Sequence, residues 1–182
     1  MRVALIKTAA AAIAAVALLP APEKAAAARC ADASRVPTPD SLEEAVSAVE
    51  CEINQRRRQR GLPRLDVDSR LREASRAHAR DMVRRGYFSH TGRDGRTTTA
   101  RLKDAGYIRA GRRWAIGETL AWGTFWRSTP RRAVTNWMNS PSHRRVLLNR
   151  RYRDIGVGGA GGAPARRGAR GATYAAAFGV IG

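Results

Sequence analysis

Asp68-Ser-Arg-Leu-Arg-Glu-Ala-Ser-Arg-Ala-His-Ala-Arg-Asp-Met-Val-Arg-Arg-Gly86 puts Leu71, Ala74, His78 and Met82 on one face of a helix. Arg72, Arg76, Arg80 and Arg84 form a stripe on the other face, and Gly86 supplies the stop. Such a helix needs an apolar partner. Upstream, Leu42, Ala45, Val46, Val49 and Ile53 recur at helical spacing behind a Ser41/Glu44 capping box, and Gly61 with Pro63 ends that element. Downstream, a short helix is expected over residues 97–105 with Leu102 inward, and residues 115–122 alternate as a strand. Pro130 opens a helix whose buried face is Ala133, Val134, Trp137 and Met138; Ser140 and Pro141 open another with His143 in its first turn. Two apolar stretches, residues 155–157 and 174–181, flank a run rich in Gly, Ala and Arg and read as a hairpin with a long mobile loop. Helices first and strands later predict an α+β sandwich rather than an alternating parallel-sheet fold.

The N-terminus reads as a leader. Arg2 and Lys7 make a short positive start, and the apolar run over residues 8–19 is shorter than the roughly 20 residues of a membrane-spanning helix. Small residues 25–28 suit a signal peptidase, which places cleavage near Ala28, with Ala21 as the alternative. Residues 1–28 are thus expected to be a signal peptide and 29–40 an N-terminal arm. Residues 41–182 form one domain, expected to be a monomer secreted to the extracellular space or the cell envelope. Cys30 and Cys51 are the only cysteines of the chain, and in an oxidising compartment a structural disulfide is the economical reading.

The formal net charge is +19, with 34 Lys plus Arg against 15 Asp plus Glu, so attraction to anionic polymers follows from mean charge alone. No paired zinc ligands or interleaved stacking aromatics accompany the charge, and specific nucleic-acid recognition is not expected. The Arg72, Arg76, Arg80 and Arg84 stripe reads either as a solvated helix face or as a contact for anionic envelope polymers or lipid. Several chemistries are excluded by missing motifs: there is no Gly-x-Ser-x-Gly elbow, no His-Glu-x-x-His helix and no P-loop. His78 shares the apolar face of its helix and reads as structural, with Asp81 as a candidate hydrogen-bond partner. His90, Glu118 and His143 remain, two imidazoles and a carboxylate able to hold zinc with a position left open. Their spacing alone does not make them a site. Trp114, Trp122 and Trp126 read as either core or cleft wall.

The run His78-Ala-Arg-Asp-Met-Val-Arg-Arg-Gly-Tyr-Phe-Ser-His90, then Gly117-Glu-Thr-Leu-Ala-Trp-Gly123, resembles the bacterial branch of the CAP superfamily. So do Ala133-Val-Thr-Asn-Trp-Met-Asn-Ser-Pro-Ser-His-Arg-Arg-Val-Leu-Leu-Asn149 and Tyr152-Arg-Asp-Ile-Gly-Val-Gly158, in the same order. The resemblance implies a three-layer α-β-α sandwich with a central antiparallel sheet. It also implies a cleft lined by His90, Glu118 and His143, where some members hold a divalent metal such as zinc. Three functions follow as expectations: an extracellular or envelope module binding a small molecule, lipid or envelope component; a divalent-metal-dependent hydrolase using the same cleft; and a basic protein held to anionic envelope polymers or lipid. The sequence departs from the animal and plant pattern at Thr173-Tyr-Ala-Ala-Ala-Phe178, which offers no second imidazole. It departs again at Thr119, where that pattern has asparagine, and near Asn139 and Ser140, where it has an acidic residue.

Overall fold

The computed structural model describes residues 30–166 and 168–182; the leader read at 1–28 lies outside them, as does Arg29. The elements run α1 (Leu42–Arg58), β1 (Asp66–Val67), α2 (Ser69–Arg85), α3 (Thr98–Asp104), β2 (Trp114–Thr124), α4 (Pro130–Asn139), α5 (Pro141–Leu147), β3 (Asp154–Gly161) and β4 (Gly171–Ile181), with 3-10 turns at Ala31–Ser34 and Phe125–Ser128. The sheet has the order β1-β3-β4-β2. β4 pairs antiparallel with both β2 and β3, and β1 adds a two-residue parallel edge, Asp66 opposite Asp154 and Val67 opposite Ile155. Among the described residues, no helix is long and apolar enough to cross a membrane.

Alternation along β4 divides the core between two faces. Ala172, Tyr174, Ala176 and Phe178 join Val46, Val49 and Ile53 of α1, Val134 and Trp137 of α4 and Leu147 of α5. Ala177 faces the opposite layer with Leu71 of α2 and Leu102 of α3, and Ala175 packs with Ala79 and Met82 of α2 and Leu120 of β2. This is the expected α-β-α sandwich. α2 is held at both ends by the chemistry its sequence announces: the Asp68 side chain accepts from the backbone N–H groups of Arg70 and Leu71, and Gly86 closes it at φ 66°. Thr97 caps α3 in the same way through the N–H of Ala100.

Three local expectations fail for physical reasons. The Ser41/Glu44 capping box does not form, because the Ser41 hydroxyl accepts from the Thr38 N–H at 3.0 Å and pairs with the Thr38 hydroxyl in a tighter local turn. Asp81 is not the partner of His78. Its carboxylate takes the Tyr87 hydroxyl at 2.7 Å and Arg84 at 3.0 Å, while His78 Nε2 meets the Ser89 carbonyl at 2.9 Å. The last hairpin has longer strands and a shorter loop than its composition suggests, since Gly158, Gly159, Ala160 and Gly161 are strand residues paired with β4. Packing explains the glycines. A Cβ on Gly156 would fall on the Leu71–Arg72 backbone, and one on Gly158 on the Ser75–Arg76 backbone, so α2 lies directly against β3.

Polar bonds close what apolar packing leaves open. β1 covers only the start of β3, and beyond it the Val157 N–H donates to Glu50 of α1 at 3.2 Å. The same buried carboxylate receives the Arg72 guanidinium of α2 through both oxygens, clasping two layers around the sheet edge. Arg57, wholly buried, donates to the carbonyls of Pro63, Leu147 and Asn149 and so ties the end of α1 to the end of α5. Cys30 and Cys51 are joined in a disulfide that fixes the arm to α1, with Ala33 and Ala48 packed around it.

Replacing Gly158 by alanine is expected to destabilise the fold by about 3 kcal/mol, because backbone rather than a flexible side chain must give way. Gly161→Ala, where nothing lies within 4 Å, should be close to neutral. Urea denaturation of the two variants checks the contrast; equal losses would contradict the close approach.

Candidate functional site

Ile116, Glu118 and Leu120 share one face of β2, the face covered by α2 and α3, and Glu118 stands opposite Ala177 in the register. A carboxylate there is 5% exposed and requires partners. α3 supplies two of them. Arg101 donates from Nη2 to Glu118 Oε1 at 2.7 Å, and the Thr98 hydroxyl donates to Oε2 at 3.0 Å. His90, from the loop after α2, brings Nδ1 to the same Oε2 at 2.7 Å.

The loop that carries His90 is fixed from both sides. His78 Nε2–H donates to the Ser89 carbonyl, and Arg101 Nη1 donates to the carbonyls of His90 and Arg96 at 3.1 and 2.9 Å. Arg101 therefore holds a carboxylate with one nitrogen and the backbone beside it with the other. Its guanidinium side chain is only 10% exposed, whereas the His90 ring is 55% exposed. The site is a buried ionic base carrying an open imidazole.

Burial alone would raise the Glu118 carboxyl, but the His90 hydrogen bond and the Arg101 charge outweigh it and hold the group below the usual carboxylate range. The ionised carboxylate accepts from His90 Nδ1–H, and Nε2 of that ring has no hydrogen-bond partner among the described residues. His143, half-buried in the first turn of α5, is held below the usual imidazole range by burial and by the charge of His90. It makes no hydrogen bond to His90 or Glu118 among the described residues. His78 is lowered as well, first by burial and then by Arg101.

The three residues singled out in the sequence thus fall into one contacting pair, His90 and Glu118, with His143 in electrostatic reach. Arg101 and Thr98 are the functional residues the sequence did not disclose; one arginine among so many in a short helix carries no signal of its own. Among the described residues no three His, Cys, Asp or Glu side chains are gathered as metal ligands. Both Glu118 oxygens are engaged by side chains of the protein, Oε1 by Arg101 and Oε2 by Thr98 and His90.

A cavity of about 410 Å³ lies between α2, the loop after it and α3, lined by His78, Asp81, Tyr87, Asp94 and Arg101 among others. It shares Arg101 with the site but not His90, Glu118 or His143. Of the tryptophans, Trp137 is core and donates to the Leu120 carbonyl at 2.8 Å, while Trp114 and Trp126 are exposed.

A model of the cysteine-rich secretory protein family, CAP, matches residues 52–173. The chain is 33% identical over 132 residues to the uncharacterized protein YkwD of Bacillus subtilis (strain 168), covering 70% of this chain and 49% of that protein. It is 34% identical over 98 residues to the uncharacterized membrane protein YlbC of the same organism, covering 54% of this chain and 26% of that one. The chain therefore spans about half the length of the first relative and about a quarter of the second. Among solved structures, an extracellular protein containing a SCP domain from Bacillus anthracis is 25% identical, with a TM-score of 0.62 over 78% of this chain and 43% of that one. An outer surface protein of Borrelia burgdorferi shares the fold at TM-score 0.61, with 24% identity over 75% of this chain and 92% of that one.

Two outcomes are expected. Arg101→Met should cost about 3 kcal/mol by leaving Glu118 buried without its cation, measured by denaturant unfolding. Stability should also fall as pH drops below about 6.5, because an unfolded histidine takes up its proton there while His78 and His143 in the fold resist it. Glu118 acts lower: its contribution is present above the usual carboxylate range and is lost as pH falls through its depressed folded value. His78→Gln should flatten the slope between pH 7 and pH 5. An unfolding midpoint unchanged across that interval in the native protein would contradict the assignment.

Proposed function

The chain belongs to the cysteine-rich secretory protein (CAP) family, and from that premise we propose that it is an extracellular or envelope-associated binding module whose cleft presents His90 and His143 to a polar ligand. The observation that carries this reading is the saturation of Glu118. With Arg101 and Thr98 on its oxygens, the carboxylate serves as a fixed support that orients the His90 ring and leaves Nε2 for a ligand. Export is supported by the leader read at residues 1–28, by the Cys30–Cys51 disulfide and by the extracellular and outer-surface descriptions of the structural relatives.

A second reading keeps the same pair as an acid–base centre, since a carboxylate-oriented imidazole is the arrangement a general base requires. It differs from the metal-dependent hydrolase anticipated from the family in needing no metal.

Titration of isotopically labelled protein with soluble peptidoglycan fragments, read on the His90 and His143 imidazole resonances, tests the proposal. A saturable shift for at least one fragment, abolished by His90→Ala, is expected; zinc added alone should give no stoichiometric binding. One zinc per chain, lost in the His90→Ala, His143→Ala double variant, would sink the reading and restore the metalloenzyme. Hydrolysis of a fragment that survives a chelator would favour the acid–base centre.

A further inference from the structure

At the end of β2 the chain turns sharply through Phe125–Ser128 and leaves two large aromatic side chains in water, Phe125 at 58% and Trp126 at 52% exposure. The turn is strained and rigid at once. Phe125 has φ 48°, the only positive value among the non-glycine residues described, and a bulky side chain adopts it only where its surroundings impose it. Those surroundings are present. The Phe125 N–H donates to the Arg170 carbonyl at 3.0 Å, the Ser128 hydroxyl donates to the Phe125 carbonyl, and the Thr129 hydroxyl donates to the Trp126 carbonyl at 3.1 Å. Buried Tyr174 donates to the Ser128 carbonyl at 2.9 Å, and Gly123 has no room for a Cβ beneath the Arg127 carbonyl.

Arginines gather around the turn, and of these Arg131 is paired with buried Glu52. Arg127 and Arg132 lie over the Trp126 ring at 5.1 and 4.5 Å, and the Arg170 backbone is bonded to the turn itself. Between Glu118 and Asp154 the sequence has no acidic residue at all, and none follows Asp154. By contrast, the α2 stripe is largely neutralised: Arg72 is paired with Glu50, Arg76 with Glu43 and Arg84 with Asp81. Arg127 and Arg132 have no ion-pair partner among the described residues, so the turn carries unpaired cationic charge beside its exposed rings.

We propose that the Phe125–Trp126 turn and its arginines dock the protein on an anionic phospholipid surface, the rings entering the interfacial region while the guanidinium groups bind phosphate. A projecting aromatic tip suits a deformable interface, where amphipathic rings lodge at the headgroup level, and arginine is the side chain suited to phosphate. Glu118 lies six residues before the end of an extended strand, about 20 Å away, so the surface is separate from the cleft and does not rest on its assignment. Trp114 stands at the opposite end of the same strand and serves as an internal control, being 41% exposed.

The test is co-sedimentation of the chain freed of its leader, residues 29–182, with vesicles of phosphatidylcholine alone and of phosphatidylcholine with one quarter phosphatidylglycerol. Binding only to the anionic vesicles is expected, with about a tenfold loss for Phe125→Ala or Trp126→Ala and none for Trp114→Ala. Raising salt from about 0.1 M to about 0.5 M should weaken but not abolish it, since the apolar part is unscreened. Absence of binding to anionic vesicles would overturn the proposal. So would binding that Trp126→Ala and Phe125→Ala leave intact, or that soluble polyphosphate matches with the same indifference to both variants, because mean charge would then account for it.

Discussion

The backbone of α2 rests on the backbone of β3 because Gly156 and Gly158 present no side chain between them, and the position of nearly everything in the site follows from that contact. Once α2 is seated, Arg72 reaches around the sheet edge to Glu50 and locks α1 on the far side. Ser75, buried beneath the helix, donates to the Gly156 carbonyl and fixes the register of helix on strand. Further along the same helix face His78 grips the Ser89 carbonyl, which sets where the next residue, His90, can place its ring. A side chain at Gly158 would lift α2 and move that loop with it, so a packing constraint and a functional geometry are here one requirement.

Much of the helical layer was legible because capping and punctuation are local. Asp68, Thr97, Gly86 and Pro130 act within one turn of themselves, and each ends or begins a helix as its chemistry dictates. Ser41 does not cap as its motif suggests, since Thr38 three residues upstream engages its hydroxyl, a contest that periodicity does not register. The glycine-rich half of β3 reads as loop because composition there reports missing side chains. What those absences serve is proximity to a helix some eighty residues earlier, which no local window contains. β1 escaped notice for the opposite reason: two residues are too few to show alternation.

The cleft was half legible. His90 and Glu118 stood out as scarce residue types in recognisable blocks, and they do meet. Arg101 did not stand out, although it decides what the pair can do. In a chain with 34 basic residues against 15 acidic ones, an arginine is the least informative letter, and only the burial of Glu118 turns this one into a necessity. The same scarcity governs the interior generally. Glu50, Glu52 and Glu118 are buried, and each is answered by arginine: Arg72 for the first, Arg56 and Arg131 for the second, Arg101 for the third.

That allocation has an electrostatic consequence for the outside. Of the carboxylates that hold α1, α2 and β2 in place only Glu52 reaches an arginine of the C-terminal third, Arg131; in that third Asp154 alone is acidic after Glu118 and is itself bonded to the Tyr107 hydroxyl. The fold thus answers each of these buried carboxylates with arginine and leaves Arg127 and Arg132 without an ion pair, among the described residues, beside the turn that ends β2. Arg101 belongs to the first class and Arg127 and Arg132 to the second. The buried guanidinium works on a single carboxylate at short range in a poorly screened setting. The exposed ones act over roughly a Debye length and share the face of one ring, Trp126. One residue type therefore stands in two separate settings in this chain, and depth distinguishes them: on α3 it holds a buried carboxylate and the loop of His90, and beyond β2 it lies in water over an exposed ring.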